Sequence, residues 1–236
     1  MKLSTSTINL LKNFASINVN LFVDENATKI VTRSSRKTIL CRAFIKDGPF
    51  PKEFGIYDLN NFLGALSLFE SPDVSFGDLS CVISEENDKR KKLTYYYSEK
   101  KSLTVSTTDE IPMNDADIQA SFILTADTLK TITRSAALMK LDSIAIGVDD
   151  DRASIGAETK SSGNEVSNTY SVDISPDVKR GAAFNESFVT HFDTLNINPI
   201  GNIDYKVTIT KSFMRLDSVT GSEYDITYWY APKSKS

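Results

Sequence analysis

One arrangement of apolar and polar residues occurs four times in this chain of 236 residues. Each copy has an apolar residue, then a polar residue able to cap a helix, then an apolar residue four positions after the cap. The cap oxygen accepts a hydrogen bond from a backbone N–H of the first turn, and the two apolar side chains pack together. The copies are Leu3-Ser4…Ile8, Tyr57-Asp58…Phe62, Leu124-Thr125…Leu129 and Phe184-Asn185…Val189. They predict helices over about 4–16, 58–69, 125–140 and 185–195.

Most of the sequence between these helices alternates apolar and polar residues, which is typical of strands. Short turns separate consecutive runs, so neighbouring strands are expected to pair antiparallel. This order of elements predicts an α+β fold of two similar domains, each with two helices packed on antiparallel sheets. The predicted strands cover 17–23, 28–33, 38–45, 80–84, 93–98, 102–106, 120–124, 142–148, 152–157, 169–174, 204–210, 213–219 and 225–230.

The segment 107–119 has the weakest periodicity and the clearest break in composition. It reads TTDEIPMNDADIQ, which is acidic and contains Pro112. We therefore expect an N-terminal domain over 1–108, a connector over 109–119 and a C-terminal domain over 120–236.

Composition and charge exclude several classes of protein. The net charge of −4 and the pI of about 5.2 differ from those of a simple basic nucleic-acid-binding protein. No apolar run reaches the length of a membrane helix, and the first residues are too polar for a secretory signal. We expect a non-secreted protein of the cytoplasm in which Cys41 and Cys81 are buried free thiols.

No constellation of residues predicts an enzyme, a cofactor or a metal site. His191 is the single histidine, and its surroundings FVTHFDT are ordinary, so a triad is not expected. Asp149-Asp150-Asp151 lies between two strands without ligand spacing on either side, which favours a hairpin turn over a cation site. The basic run from Lys89 to Lys92 is interpreted as a solvated hairpin tip, with a contact to nucleic acid or to a partner protein as the alternative.

The predicted polar faces of the first and third helices carry bases and amides but almost no acid. The third helix is expected to bury Leu129, Ile132, Ala136 and Met139. The second and fourth helices offer no lysine or arginine. An ordinary solvated face and a surface that meets phosphate both fit this pattern, and composition alone does not decide between them. The residues concerned are Lys12, Asn9, Asn13, Lys130, Arg134 and Lys140.

Four segments in order along the chain resemble one known family. MKLS…LLKNFASIN and IYDLNNFLGALSL closely resemble the sliding clamp of T-even-type bacteriophages, the processivity factor of the DNA polymerase. ILTADTLKTITRSAALMKLDSIAI is similar to the matching segment of that family. The ending YWYAPK is similar to the close of cellular clamps.

The resemblance implies the DNA clamp fold, a closed homotrimeric ring in which helices line a central hole and sheets form the outer wall. It implies that the bases and amides of the first and third helices face an encircled duplex without reading its sequence. It also implies pairing of a strand at about 101–107 with 168–174 of the next subunit.

The resemblance further implies partners that dock on an apolar pocket beside the connector. These are the C-terminal tail of the replicative polymerase, an ATP-dependent clamp loader and, as a further extension, late-transcription factors that use the clamp as coactivator. The residues expected to form the pocket are Leu40, Phe44, Ile111, Pro112, Met113, Trp229, Tyr230, Ala231 and Pro232. A Trp229 that simply fills the core is the alternative for that residue.

The function implied is a clamp that tethers the polymerase to duplex DNA inside the host cell and offers other DNA-associated factors a docking platform. The alternative is a β-rich trimeric phage structural protein that does not bind DNA. Sorting of the bases onto two helices favours the clamp, because a purely structural trimer has no need of it.

Overall fold

The computed structural model describes residues 1–46, 48, 50–159, 168–193, 199–200, 202–219, 222 and 224–233. The chain divides into two units. The first contains Met1–Arg36, Leu40–Asp109 and Tyr224–Ile226, and the second contains Lys37–Ile39, Glu110–Glu223 and Thr227–Ser236.

The first unit combines two helices with short antiparallel strands. Its helices are α1 (Thr5–Ile17) and α2 (Leu59–Ser67). Strand β1 (Leu21–Val23) pairs with β4 (Phe54–Ile56), and β2 (Lys29–Arg33) pairs with β3 (Ile39–Phe44). A further sheet has the order β5 (Pro72–Phe76), β6 (Ser80–Glu85) and β7 (Lys92–Tyr96), which leaves β7 at an edge.

The second unit has one α-helix among its described residues, α3 (Ala126–Met139). One sheet has the order β11 (Thr169–Asp173), β10 (Ala153–Glu158), β9 (Ser143–Val148) and β13 (Phe188–Asp193). The other runs from β12 (Lys179–Arg180) through β8 (Ile118–Leu124), β14 (Tyr205–Thr210) and β15 (Met214–Ser218) to β16 (Asp225–Tyr230).

Three of the four predicted helix starts are confirmed by their caps. The Ser4 hydroxyl accepts from Thr7 N at 3.1 Å, and the Thr125 hydroxyl accepts from Thr128 N at 3.2 Å. The Asp58 carboxylate accepts from two backbone N–H groups of α2. Each cap satisfies donors that the first turn cannot satisfy itself.

The predicted fourth helix is wrong over the described part of 185–195. The segment Phe188–Asp193 is strand β13, which pairs antiparallel with β9 along its whole length. Aromatic and β-branched residues in FVTHFD suit a pleated strand, and the neighbouring edge of β9 offers a full ladder of partners. Residues 194 and 195 lie outside the described part of the chain.

The predicted strand over 102–106 is also wrong. Lys100–Ser102 forms a 3-10 turn, and the segment that follows belongs to no strand, since the Thr104 backbone bonds to the side chains of Asn18 and Asn20. Leu103 is buried, so the apolar residue that suggested a strand serves instead to pin this segment to the core.

The Asp73 carboxylate helps to tie the N-terminus to the β5–β6–β7 sheet, together with backbone hydrogen bonds between Met1 and Val74. The Asp73 side chain accepts from the Met1 amino group at 2.8 Å and pairs with Lys89. Hydrogen bonds from Lys89 and from the amino group lower the pKa of Asp73 to about 2.

We expect Asp73→Asn to remove a pH-dependent part of the stability. A carboxylate with a lowered pKa in the folded state stabilises the protein above its unfolded pKa, near 4, and this contribution disappears as the pH falls towards 2. The free energy of unfolding should fall by about 1–2 kcal/mol at pH 7. Near pH 2 the variant and the parent protein should differ little.

Urea unfolding at pH 7, 4 and 2.5 measures this difference. Asp115→Asn removes an exposed carboxylate from a 3-10 turn and serves as the control for lost charge. A difference between Asp73→Asn and the parent that is the same at every pH would contradict the assignment.

Candidate nucleic-acid and partner interfaces

Helix α1 presents one of the predicted cations to solvent. The helix buries Thr7, Leu10, Leu11 and Phe14, and this stripe places Lys12 on the exposed side. Asn9 is exposed as well, and its amide donates to the Tyr224 hydroxyl at 3.4 Å. Asn13 is half-buried. The predicted polar residues of α1 therefore reach solvent to different degrees.

Helix α3 presents a cationic row in the second unit. Lys130 and Arg134 are both exposed and lie one turn apart, about 6 Å along the axis. The helix buries Leu129, Ile132 and Ala136, as predicted. Met139 is 49% exposed, so its predicted burial is wrong. The helix ends at Met139, and the residue that follows turns away in the left-handed conformation.

Lys140 is that terminal residue. Its φ is 54° and its ψ is 40°, and its backbone N–H caps the end of the helix. The side chain is exposed. It therefore adds an exposed cation at the C-terminal end of α3.

Lys12, Lys130, Arg134 and Lys140 have no acidic partner within the described chain, a feature that they share with other exposed lysines such as Lys179, Lys206 and Lys211. Elsewhere, Lys2 pairs with Glu86 at 3.0 Å and Lys100 with Asp24 at 3.7 Å. The only acid in the first turn of α3 is Asp127. Unpaired cations in an acidic chain create local positive potential, which attracts phosphate.

The exposed face of α2 is neutral, as predicted. It consists of Asn60, Asn61, Gly64 and Ser67, together with the apolar Leu68. Its neutral groups can lie near a phosphate backbone, but they add no charge to the potential.

The residues predicted to form the partner pocket fall into buried and accessible groups. Phe44 is 37% exposed, whereas Leu40 on the same strand is buried. Ile111 and Met113 are half-buried and Pro112 is exposed. Close to the C-terminal end of the described residues, Ala231 is exposed and Pro232 is half-buried.

Trp229 and Tyr230 belong to the core. Trp229 is 1% exposed, and the Arg215 guanidinium lies 5.7 Å from its ring centroid. Arg215 is held in place by Asp217 at 2.8 Å, and Thr227 donates to the same carboxylate. Tyr230 stacks on Tyr228. The Trp229 side chain therefore fills the core of the described chain, which was the alternative interpretation of this residue.

Comparison with known proteins decides the family. The chain is 28% identical over 209 residues to the sliding clamp of Vibrio phage KVP40, covering 89% of this chain and 90% of that protein. It is 30% identical to the sliding clamp of Enterobacteria phage T4 and 31% identical to that of Escherichia phage RB69. Each of these matches spans 166 residues and covers 68% of both chains. The chain belongs to the sliding clamp family.

Solved structures agree with this clamp in fold. The TM-score is 0.69 to A. fulgidus PCNA bound to the C-terminal region of FEN-1, at 12% identity over 97% of this chain and 95% of that one. It is 0.65 to PCNA from Thermococcus kodakaraensis, at 13% identity over 98% of both chains. No family model matches the sequence. Sliding clamps are non-enzymatic processivity factors, which agrees with the prediction that the chain is not an enzyme.

The other polar signals of the clamp have structural explanations. Asp149 accepts from Asp151 N and Arg152 N, so the three aspartates form the predicted turn. No cluster of potential metal ligands occurs among the described residues. His191 Nε2 lies 2.6 Å from Glu158 Oε1 on a neighbouring part of the same sheet. In the described part of the clamp, no helix is long and apolar enough to cross a membrane.

The two cysteines are buried, as predicted, whereas the basic run lies at the surface. Cys41 and Cys81 are free and buried, and burial raises the pKa of the Cys81 thiol to about 11. In the basic run, Lys89 pairs with Asp73, and Arg90 pairs with Asp88 at 2.8 Å.

The cations of the β2–β3 hairpin lie outside the predicted sites. Residues 29–46 contain six lysines and arginines and no acid, a pattern visible in the sequence of this otherwise acidic clamp.

We expect Trp229→Ala to destabilise the clamp rather than to act on partner binding alone. Removing a buried indole leaves a cavity, which costs about 3–5 kcal/mol of unfolding free energy. Phe44→Ala, at an exposed position, should cost less than about 1 kcal/mol. Urea unfolding of both variants measures the contrast, and equal losses would contradict the assignment of Trp229 to the core.

Proposed function

We propose that three copies of this clamp close into a ring around duplex DNA and keep the replicative polymerase on its template. The observation that carries this proposal is the set of exposed cations without acidic partners on α1 and α3. In a chain of net charge −4, these side chains provide a local surface for phosphate.

The chemistry of these cations suits sliding. Phosphates recur every ~1.7 Å along the duplex axis, and contacts to them carry no sequence information. Lys12, Lys130, Arg134 and Lys140 can exchange one phosphate for the next at little cost, with Asn9 and Asn13 as neutral donors. The topology of the ring, rather than tight binding, then keeps the protein on DNA.

Open sheet edges support ring closure. An exposed edge strand presents unpaired backbone groups, and closed assemblies remove such edges by pairing them. β7 and β11 are edge strands of their sheets. Because 101–107 is not a strand, we propose that β7 of one subunit pairs with β11 of the next.

Two large exposed apolar side chains, one at the end of β7 and one next to it, support the same interface. Leu79 is 78% exposed and Tyr96 is 73% exposed, and the Tyr97 N–H donates to the Leu79 carbonyl at 3.0 Å. Solvated apolar side chains of this size beside a sheet edge are typical of a covered surface.

We further propose the remaining assignments that the family suggests. Residues 1–108 and 120–236 act as the two clamp domains, with 109–119 as the connector. Partner tails, including the polymerase C-terminal tail, dock on the predicted pocket residues that are accessible, which are Phe44 in the first unit and Ile111, Pro112, Met113, Ala231 and Pro232 in the second. An ATP-dependent loader opens the ring in the host cytoplasm, and late-transcription factors use the same platform.

Reversing the charge of the helix faces should abolish retention on DNA. The triple variant Lys12→Glu, Lys130→Glu and Arg134→Glu should still form trimers, because all three side chains are exposed. We expect polymerase processivity on a primed circular template to fall at least roughly tenfold, since attraction of phosphate becomes repulsion.

The matched control reverses three exposed lysines on the sheets and turns of the second unit, Lys179, Lys206 and Lys211. It changes net charge by the same amount and should leave processivity within about twofold. Equal effects of the two triple variants, or full processivity of the helix variant, would favour the structural protein without DNA.

Lysine at the exposed positions beside β7 should weaken the ring. Leu79→Lys with Tyr96→Lys places charge in the proposed interface, where desolvation is costly. Light scattering should show a shift from three times the 26.2 kDa chain mass towards a single chain. Leu68→Lys, at a position 70% exposed at the end of α2, should leave the trimer intact. An unchanged mass for the double variant would exclude this edge as the interface.

A further inference from the structure

The edge strand β7 begins with two exposed lysines that the first unit leaves without an acidic partner. Lys91 and Lys92 form no ion pair within the part of the chain that the structure describes. The acids of the same hairpin are engaged elsewhere, because Asp88 pairs with Arg90 at 2.8 Å and the Glu85 carboxylate accepts from two backbone N–H groups. We call Lys91 and Lys92 the basic end of β7.

The edge strand β11 ends in negative charge. Asp173 is its last residue, and three exposed aspartates at 149–151 form the turn between β9 and β10 at the same end of that sheet, where Ser154 lies opposite Asp173. Hydrogen bonds from Ser175, with a smaller effect of the Arg152 charge, lower the pKa of Asp173, so this carboxylate is ionised at neutral pH. We call Asp173 and the aspartates 149–151 the acidic end of β11.

Two guanidiniums offset only part of the charge at the acidic end. The Arg152 charge acts on both Asp149 and Asp173, and Arg180 donates to the Asp149 carbonyl at 3.0 Å. Four carboxylates therefore stand against two guanidiniums, and the end of the strand keeps a negative potential. A cation supplied by another copy of the chain would lower the energy of this end.

Exposure alternates along both edge strands in the same way. The exposed residues are Lys92, Thr94 and Tyr96 in β7 and Thr169, Ser171 and Asp173 in β11. The half-buried residues between them are Leu93 and Tyr95 in β7 and Tyr170 and Val172 in β11. Successive side chains of a strand lie on opposite faces, so each strand has an outward polar set and an inner apolar set.

We propose that β7 of one subunit pairs antiparallel with β11 of the next in one fixed register, in which Lys92 lies opposite Asp173. Thr94 then lies opposite Ser171, and the basic end of one subunit meets the acidic end of its neighbour. This inference rests on the proposed ring and adds the orientation and the register of its interface. It also gives a role to two charged runs that neither the DNA surface nor the pocket for partner tails uses.

Face and charge exclude the competing arrangements of the same two strands. A parallel pairing puts Lys92 beside Thr169 and leaves Asp173 beside Tyr96, so neither charge meets its opposite. A slip of one residue turns the outward set of one strand towards the inner set of the other. A slip of two residues keeps the faces but shortens the ladder and separates the charged pair.

The charged pair and the inner pairs act in different ways. Complementary charge across an interface fixes its register more than it adds affinity, and like charges in the wrong register repel. Leu93 opposite Val172 and Tyr95 opposite Tyr170 supply apolar contact on the inner face of the ladder. The proposed ring is therefore held by backbone pairing and apolar contact, with its register set by the pair of Lys92 and Asp173.

Engineered cysteines test the register in the full-length clamp. Thr94→Cys and Ser171→Cys in one chain place two thiols directly opposite each other across the interface, with Cα atoms about 4.5–5.5 Å apart, where a disulfide can form. Mild oxidation should give chains linked in twos and threes on a non-reducing gel. The native Cys41 and Cys81 are buried, so the parent clamp should give none.

Two matched variants place the second cysteine on the same face but two residues out of register. Thr94→Cys combined with Asp173→Cys, or with Thr169→Cys, leaves Cα atoms about 7–8 Å apart, which is too far for an unstrained disulfide. Both should link at least about tenfold more slowly than the opposed pair. A control pair that links as fast as the opposed pair, or faster, would overturn the register.

A double-mutant cycle tests the charged pair itself. Exchange of subunits between isotope-labelled and unlabelled rings, followed by native mass spectrometry, reports how fast the interfaces open. Lys92→Glu should speed this exchange roughly tenfold in the parent but at most about threefold in an Asp173→Asn background. Asn keeps an acceptor for the Ser175 donors, so this background removes the charge without removing the turn.

Lys206→Glu makes the same charge change on an exposed lysine of β14 and should leave exchange within about twofold. An equal effect of Lys92→Glu in the two backgrounds would show that the two side chains do not face each other, and would overturn the proposal. If the parent forms trimers but the opposed cysteines fail to link, only the register fails. If the parent stays a single chain at every concentration, the proposed ring itself fails.

Discussion

Burial of one stripe of each helix is the constraint on which the rest of the structure depends. In α3, Leu129, Ile132 and Ala136 are buried, and each large apolar side chain contributes about 1.5–3 kcal/mol when it leaves water. The cations Lys130 and Arg134 reach solvent because the helical repeat places them away from that stripe. The positions of the buried apolar residues therefore determine which side of the helix carries the positive charge.

Local chemistry explains why much of the fold could be predicted from the sequence. A cap such as Asp58 acts within its own first turn, so its effect does not depend on distant residues. The same pattern at Asn185 failed because a distant partner competed. The segment that follows it gains a complete ladder of hydrogen bonds with β9, and tertiary pairing overrides a local signal for a helix.

The candidate surfaces follow the same division between local and distant causes. Exposure of Lys12 and Lys130 could be predicted from helical periodicity alone. Burial of Trp229 could not, because it depends on tertiary packing, in which β16 pairs with β15 and Arg215 lies opposite the indole. The charge pattern of the β2–β3 hairpin is visible in the sequence, but its pairing with Asp109 joins residues 80 positions apart.

Under the proposed function, two kinds of positive surface serve two different physical tasks. On α1 and α3 the cations are solvated and stand beside polar groups, so any phosphate is as good as the next and affinity depends steeply on salt. On the outward face of the β2–β3 hairpin the Arg42 guanidinium stands beside Val31 and Phe44, so part of the binding free energy comes from apolar contact and depends less on salt. Raising the ionic strength should therefore weaken the grip on DNA well before it releases a partner tail. A clamp built this way can move along the duplex while it holds its partner, because the two contacts respond to different forces.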